Sequence, residues 1–149
     1  MTIDEYRNYM MAIAEKTLPK ESKKFLAYEA VKLKRNMISY SNSNVPVSKK
    51  PESDKHKKYH KSFKIGKTYK YNEALSKRVF NATYYGKFVE YGRKVAFGYK
   101  KKDGYKNAPN VKGKSKHYEV VKNVKIDYDP IYYADVDVWI AKMLEEGKL

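Results

Sequence analysis

The stretch from Val79 to Gly92, VFNATYYGKFVEYG, decides how this chain is read. A β-like run closes at Asn81, a short aromatic-rich helical turn begins near Thr83, and Gly92 stands where that turn must stop. Tyr85, Phe88 and Val89 are spaced to share one helical face, while Glu90 and Tyr91 point elsewhere. Thr83 carries the hydroxyl of an N-cap, and a glycine takes the left-handed conformation that ends a helix. By itself the stretch is a packing unit that joins a strand to a helix.

Upstream lie two helices and a loop. Thr2 and Glu5 have capping-box spacing, and Ile3, Tyr6, Met10 and Ile13 mark one face of a first helix. Leu18-Pro19 interrupts it. The second helix is expected from about Pro19 to Ser39, with Leu26, Ala30, Leu33 and Met37 as its core stripe. Residues 39–60, SYSNSNVPVSKKPESDKHKKYH, have two prolines and little to bury, so they read as a long mobile arm. Strands follow: Phe63 and Ile65 alternate with lysines, Tyr69 and Tyr71 continue the run, and Leu75, Lys77 and Val79 alternate with Ser76, Arg78 and Phe80. A hairpin through Tyr71-Asn72-Glu73 lacks the usual Asn-Gly or Asp-Gly turn.

Downstream, Arg93 to Tyr99 has the pattern of a further strand, and residues 100–116 form a basic loop with Asp103-Gly104 and Pro109 as turn makers. Residues 117–128 are open between strand and helix, since Tyr118, Val120, Val124, Ile126 and Tyr128 alternate except at Lys122. A last helix is expected to open with Asp129 as cap and Pro130 in the first position. Its stripe is Tyr132, Val136, Trp139 and Met143, with Ile140 and Leu144 beside it, and Gly147 ends it. Asp135 and Asp137 would then lie toward its positive end. The fold class is α+β: a small, mostly antiparallel sheet packed by N-terminal and C-terminal helices, with long basic loops.

Size and composition narrow the classes. A chain of 149 residues fits one domain, 1–149. No apolar run approaches a membrane span, and the amino terminus carries acids where a secretory leader has a basic start. With no cysteine there are neither disulfides nor thiolate metal sites. The formal charge is +16, of which 41–70 carries +7 and 86–125 carries +9, while 126–149 is at −4. Lysines in number can displace counterions from phosphates. Only four arginines (Arg7, Arg35, Arg78, Arg93) accompany them, however, and arginine is the better residue for forked phosphate contacts.

Catalytic chemistry finds little footing. His56, His60 and His117 are the only histidines, and the first two lie in a lysine-rich loop with no helical pattern to aim them at a metal. Asp127, Asp129, Asp135 and Asp137 lack the loop glycine and oxygen spacing of a calcium site and read as helix capping. Glu90 is the one acid in the central motif, and only Arg93 is near it in sequence, so an ion pair or interface contact is the expected role. There is no phosphate-binding glycine loop and no nucleophile motif. The chain is read as a non-enzyme with no cofactor and no metal.

The central stretch resembles the core motif of the HK97 gp10-like family of phage neck and tail-completion proteins. The matching residues are Val79, Phe80, Asn81, Tyr85, Phe88, Val89, Glu90, Tyr91 and Gly92, with Arg93 in a slot the family gives to a basic residue or histidine. Gly86 departs from the family's alanine, which weakens the short helix by roughly 1 kcal/mol. Val45-Pro46-Val47 and His60-Lys61-Ser62-Phe63-Lys64 extend the similarity upstream.

The resemblance implies a virion structural protein, assembled in the host cytoplasm, that joins or terminates a tail. It implies copies in a ring, a hexamer by family, touching connector, neck and tail tube or sheath proteins, with DNA close by in the channel and no membrane. The expected interface is the 39–60 arm (Val45, Pro46, Val47, Lys57, Lys58, Tyr59) and the 100–116 loop (Lys101, Lys102, Tyr105), which looks like an insertion. A basic DNA-binding module using 41–70 and 86–125 is the alternative, and a nuclease-like accessory a third.

Overall fold

The computed structural model describes residues 2–47, 49, 51–53, 57–91 and 118–149. The expected strand from Arg93 to Tyr99 and the 100–116 loop lie outside these residues. So do Gly92, Arg93, Lys101, Lys102, Tyr105, His56 and His117. What is described is α+β: a long helical pair with one antiparallel hairpin.

Helix α1 spans Ile3–Ala12 and opens with the expected capping box. Thr2 Oγ1 accepts from the Glu5 amide at 3.2 Å, and Glu5 Oε2 accepts from the Thr2 amide at 2.6 Å. The expected break at Leu18-Pro19 is absent. The chain passes through a π-helical turn, Ile13–Thr17, and continues as α2, Leu18–Asn44. Pro19 has no N–H for the carbonyl four residues back, and its ring crowds that carbonyl. Widening the turn so that the Leu18 amide donates to the Ile13 carbonyl accommodates the proline and keeps the helix going.

Helix α2 also runs five residues past Ser39, so the first part of the expected arm is helical. Here the small polar residues satisfy themselves on the helix: Ser41 Oγ donates to the Ile38 carbonyl at 2.9 Å, and Asn44 Nδ2 to the Tyr40 carbonyl at 2.9 Å. Such back-bonding lets serine and asparagine sit in a helix they would otherwise leave.

A 3-10 turn at Tyr59–Lys61 leads into β1, Phe63–Tyr71, which pairs antiparallel with β2, Ala74–Asn81. The register is irregular between Ile65 and Thr68. The two-residue turn is Asn72-Glu73, both with positive φ, 47° and 64°. That is the twist a tight hairpin wants, reached without glycine. Asparagine tolerates it, but glutamate is strained there. Glu73→Gly is therefore expected to raise stability by about 1 kcal/mol, read from the urea midpoint.

Helix α3 is short, Gly86–Tyr91, and α4 runs Val120–Glu145. The open choice over 118–128 resolves as helix from Val120 on, and Asp129-Pro130 does not start it. Asp129 instead pairs with Lys125 one turn back, and Pro130 sits exposed inside the helix, where solvent can take up the carbonyl it leaves unpaired. Asp135 and Asp137 consequently fall in the second half of α4, far from its positive end. The helix ends as expected: Gly147 has φ 64°, its amide donates to the Leu144 carbonyl and that of Lys148 to the Met143 carbonyl.

Helices α2 and α4 pack antiparallel. Phe25 stacks on Trp139 with ring centroids 5.1 Å apart. Further along, the Tyr128 hydroxyl donates to the buried Glu29 carboxylate and Lys32 pairs with Asp135; beyond these, Asn123 Nδ2 donates to the Tyr40 hydroxyl at 2.8 Å. The main core gathers Met37, Val45, Tyr59, Phe63, Val120 and Val124, with Leu33, Val79, Tyr85 and Val89 at its edge. Helix α1 buries nothing. With ten residues at 1.5 Å each, α1 is about 15 Å long.

Candidate functional site: the brace around α3

The Val79–Tyr91 motif is built as a three-way junction. Val79 and Phe80 close β2, with Val79 turned to the core. Asn81, the last residue of the strand, then works through its side chain at both ends. Its Nδ2 donates to the Tyr59 carbonyl at 2.7 Å, and its Oδ1 accepts from the Thr83 amide at 3.0 Å and the Thr83 hydroxyl at 2.6 Å. Thr83 thus does not cap the helix through its hydroxyl as expected, because that group is already directed to Asn81. The helix proper begins three residues later.

Gly86 has a physical reason here. A Cβ on it would come 3.2 Å from the tethered Thr83 hydroxyl and 3.5 Å from Asn81 Oδ1. Alanine would push on a hydroxyl that is not free to move.

Tyr85 and Val89 pack on the core, and the Tyr85 hydroxyl donates to the Lys57 carbonyl. Asn81 and Tyr85 together therefore tie down residues 57–59. Phe88 is half-buried with the Lys87 ammonium over its ring, and Tyr91 faces out.

Glu90 is the centre of the junction. It is 6 % exposed, and its carboxylate accepts from the amide of Val121 at 2.9 and 3.0 Å and from that of Lys122 at 3.2 Å. These are two of the N–H groups that the first turn of α4 leaves without an internal partner. Beside them the Tyr118 amide donates to the Val89 carbonyl at 2.8 Å. Glu119, the residue in the cap position, has φ 45° and gives no side-chain cap; its carboxylate pairs with Lys122 instead. A glutamate from α3 has replaced the local cap of α4. That answers why the chain needs an acid at this point: a negative charge at the positive end of a helix dipole, holding two amides.

The sequence-based sites thus divide. Val79, Asn81, Tyr85, Val89 and Glu90 are brought together as a brace, Phe80, Phe88 and Tyr91 flank it, and Gly92 and Arg93 are outside the described residues. Of the expected interface, Val45 and Tyr59 are corrected to core residues, 9 % and 6 % exposed. They are the apolar side chains that α2 and the hairpin close over. Pro46, Val47 and Lys57 remain exposed, and Lys58 is half-exposed. A cavity of about 270 Å³ lies against this segment, lined by Val45, Val47, Tyr59, Tyr84 and Tyr85 among others.

No group of three His, Cys, Asp or Glu is assembled among the described residues in a way that could hold a metal. Two of the four aspartates of α4 are held by lysines instead of capping the helix: Asp129 by Lys125 and Asp135 by Lys32. No described helix is long and apolar enough to cross a membrane. The residues that sequence reasoning missed are Val121 and Lys122, whose amides Glu90 holds, since nothing in an amide's sequence position announces its partner. No family model, curated protein or solved structure matches this chain.

The buried tyrosines give the fold an alkaline limit. Burial lifts the Tyr59 and Tyr128 hydroxyls well above the ordinary phenol range, helped by the nearby Glu90 and by the bond to Glu29 respectively. Tyr85 and Tyr132 are raised in the same direction, again mainly by burial. In the unfolded chain all four would ionise near pH ~10. The folded protein holds these protons more tightly, so their contribution is complete below about pH 10 and is lost as pH rises through and beyond it. Urea midpoints followed from neutral to strongly alkaline pH should fall above that point, and less steeply in Tyr128→Phe.

Proposed function

We infer that this chain is a structural assembly protein of a phage or phage-tail-like particle, one protomer of a ring at the neck or head-proximal end of the tail. The observation that carries the assembly reading is on α4. Its core stripe of Val120, Val124, Tyr128 and Met143 is matched on the other side by Ile126, Tyr133, Ile140 and Leu144, which are exposed. Those four sit seven, seven and four residues apart, on one line along the helix. A helix that is apolar on both sides normally belongs inside a larger body. Among the described residues twenty large apolar side chains are exposed against ten buried hydrophobic ones, so folding alone leaves much apolar surface in water.

The particle itself comes from the Val79–Gly92 resemblance, which also supplies the ring, a hexamer, and its neighbours: connector, neck and tail tube or sheath proteins. In such a ring each protomer offers one face to the next, and closure leaves no face unmatched. The protein belongs to the virion and is put together in the host cytoplasm, with DNA passing in the channel. Function then means interface burial rather than turnover, and Glu90, the one acid of the motif, braces α4.

Light scattering on the purified protein, followed by electron microscopy of particles made without it, tests this. A closed oligomer, together with headless tails or tubes of uncontrolled length, is the expected outcome. A chain that stays monomeric at every concentration, alone and with tail proteins added, would remove the proposal.

A further inference from the structure

We propose that the outer face of the β1–β2 hairpin binds single-stranded DNA, with cations on its phosphates and exposed rings against its bases. Three observations meet on this face. The first is where positive charge goes unneutralised. Half of the ten lysines in the described helices are paired: Lys24 with Glu21, Lys32 with Asp135, Lys122 with Glu119, Lys125 with Asp129 and Lys142 with Glu146. On the hairpin, Lys64, Lys67 and Arg78 make no ion pair with any described carboxylate, and the only acid between Phe63 and Asn81 is Glu73 at the turn; Lys70, opposite Leu75, belongs to the inner side.

The second is register. Val79 turns inward to the core, so Arg78 and Phe80 turn outward. Lys64 stands opposite Phe80, Tyr69 opposite Ser76 and Tyr71 opposite Ala74, all on that same side. Gly66 leaves the surface open beside them: a Cβ there would lie 3.7 Å from that of Arg78 and 3.8 Å from the Phe80 ring. The third is exposure. Phe80, Tyr69 and Tyr71 are 39 %, 42 % and 65 % exposed, three bare rings on one face of a single hairpin.

Cations interleaved with bare rings are the elements of a single-strand platform, and every base has a face to stack. A duplex keeps its base faces stacked on one another and would leave these rings without a partner. A second copy would bring the same positive charge to the surface. Nothing on the face requires a ribose 2′-hydroxyl, so DNA suffices. The nine residues of β1 span about 30 Å, enough for roughly four nucleotides, the low end of known site sizes. This surface is narrower than the two basic segments read from the sequence, and it stands whether or not the chain forms a ring.

The test is fluorescence anisotropy with labelled oligothymidine, a mixed-sequence duplex and oligouridine, titrated over a range of salt. Binding to oligothymidine should weaken with a log–log salt slope near −2, from about three phosphate contacts. Lys64→Ala combined with Arg78→Ala should flatten that slope by roughly 1.4. Tyr69→Ala and Phe80→Ala should each weaken binding roughly tenfold and leave the slope unchanged. Circular dichroism and the urea midpoint check that each variant is folded, and the more exposed Tyr69 keeps the test decisive if Phe80→Ala unfolds. The proposal is overturned by no binding at low salt, by a duplex or oligouridine bound more tightly than oligothymidine, or by ring substitutions that leave affinity untouched.

Discussion

Glu90→Ala is expected to lower the unfolding free energy by about 3 kcal/mol, the largest loss for any single exchange in the motif. The size follows from what the carboxylate does. An ordinary N-cap lost to alanine costs about 1 kcal/mol, with water replacing the missing acceptor. Here the acceptor is 6 % exposed and holds the Val121 and Lys122 amides at once, so alanine removes both part-buried bonds and leaves a cavity the size of the lost side chain. Each bond to a charged acceptor contributes about 1.5–3 kcal/mol. Glu90→Gln keeps the shape and one acceptor oxygen but removes the charge at the helix end, so about half the loss is expected, roughly 1.5 kcal/mol. Urea unfolding by circular dichroism measures both. The order matters as much as the size: alanine worse than glutamine, and both worse than Glu119→Ala, whose side chain gives no cap. Equal midpoints for all three would mean that the brace does not hold α4. A catalytic glutamate behaves the other way, since Glu90→Gln would then remove an activity and leave the midpoint nearly unchanged.

How far the sequence could be read depended on whether its signals were local. The capping box at Thr2 and Glu5, the Gly147 stop and the α2 stripe through Ala30 and Met37 were legible, because each is set by residues within one or two turns. Pro19 and Pro130 misled for one reason. A proline predicts the end or beginning of a helix only when nothing else supports the chain across it. A π turn carries the helix past Pro19, and solvent exposure makes Pro130 tolerable inside α4. The start of α4 was hidden more deeply. Its cap comes from Glu90, thirty residues earlier, and the alternation from Tyr118 to Tyr128 leaves strand and helix open because the helix is apolar on two sides. The motif was legible as a unit, but its purpose was not: Asn81, Tyr85 and Glu90 each bond to backbone groups distant in sequence.

That second apolar side leads to the other large effect. If copies assemble through this side, as proposed, Ile126→Glu combined with Tyr133→Glu is expected to yield monomers while leaving the fold alone. Both side chains are about two-thirds exposed, 63 % and 66 %, and the Tyr133 ring meets Tyr132 edge-on at 5.8 Å, so in the isolated chain the exchanges should change stability by no more than about 1 kcal/mol. Between protomers the same positions would place two carboxylates in a closed apolar seam, where a buried unpaired charge costs several kcal/mol and each site recurs in every copy. Because a ring repeats its contact around the circle, a loss of even 3 kcal/mol per interface lowers each association step by more than a hundredfold. Light scattering should therefore report the mass of a single chain with an unchanged circular dichroism spectrum. Glu73→Gly, at the far hairpin turn, serves as the control and should keep the oligomer. If the double variant assembles like the parent, the apolar line on α4 is not the contact between copies, and the exposed face of α1, with Ile3, Tyr6 and Met10, becomes the next to test. If it unfolds instead, the stripe belongs to the core of the chain itself, and the assembly reading loses the observation it rests on.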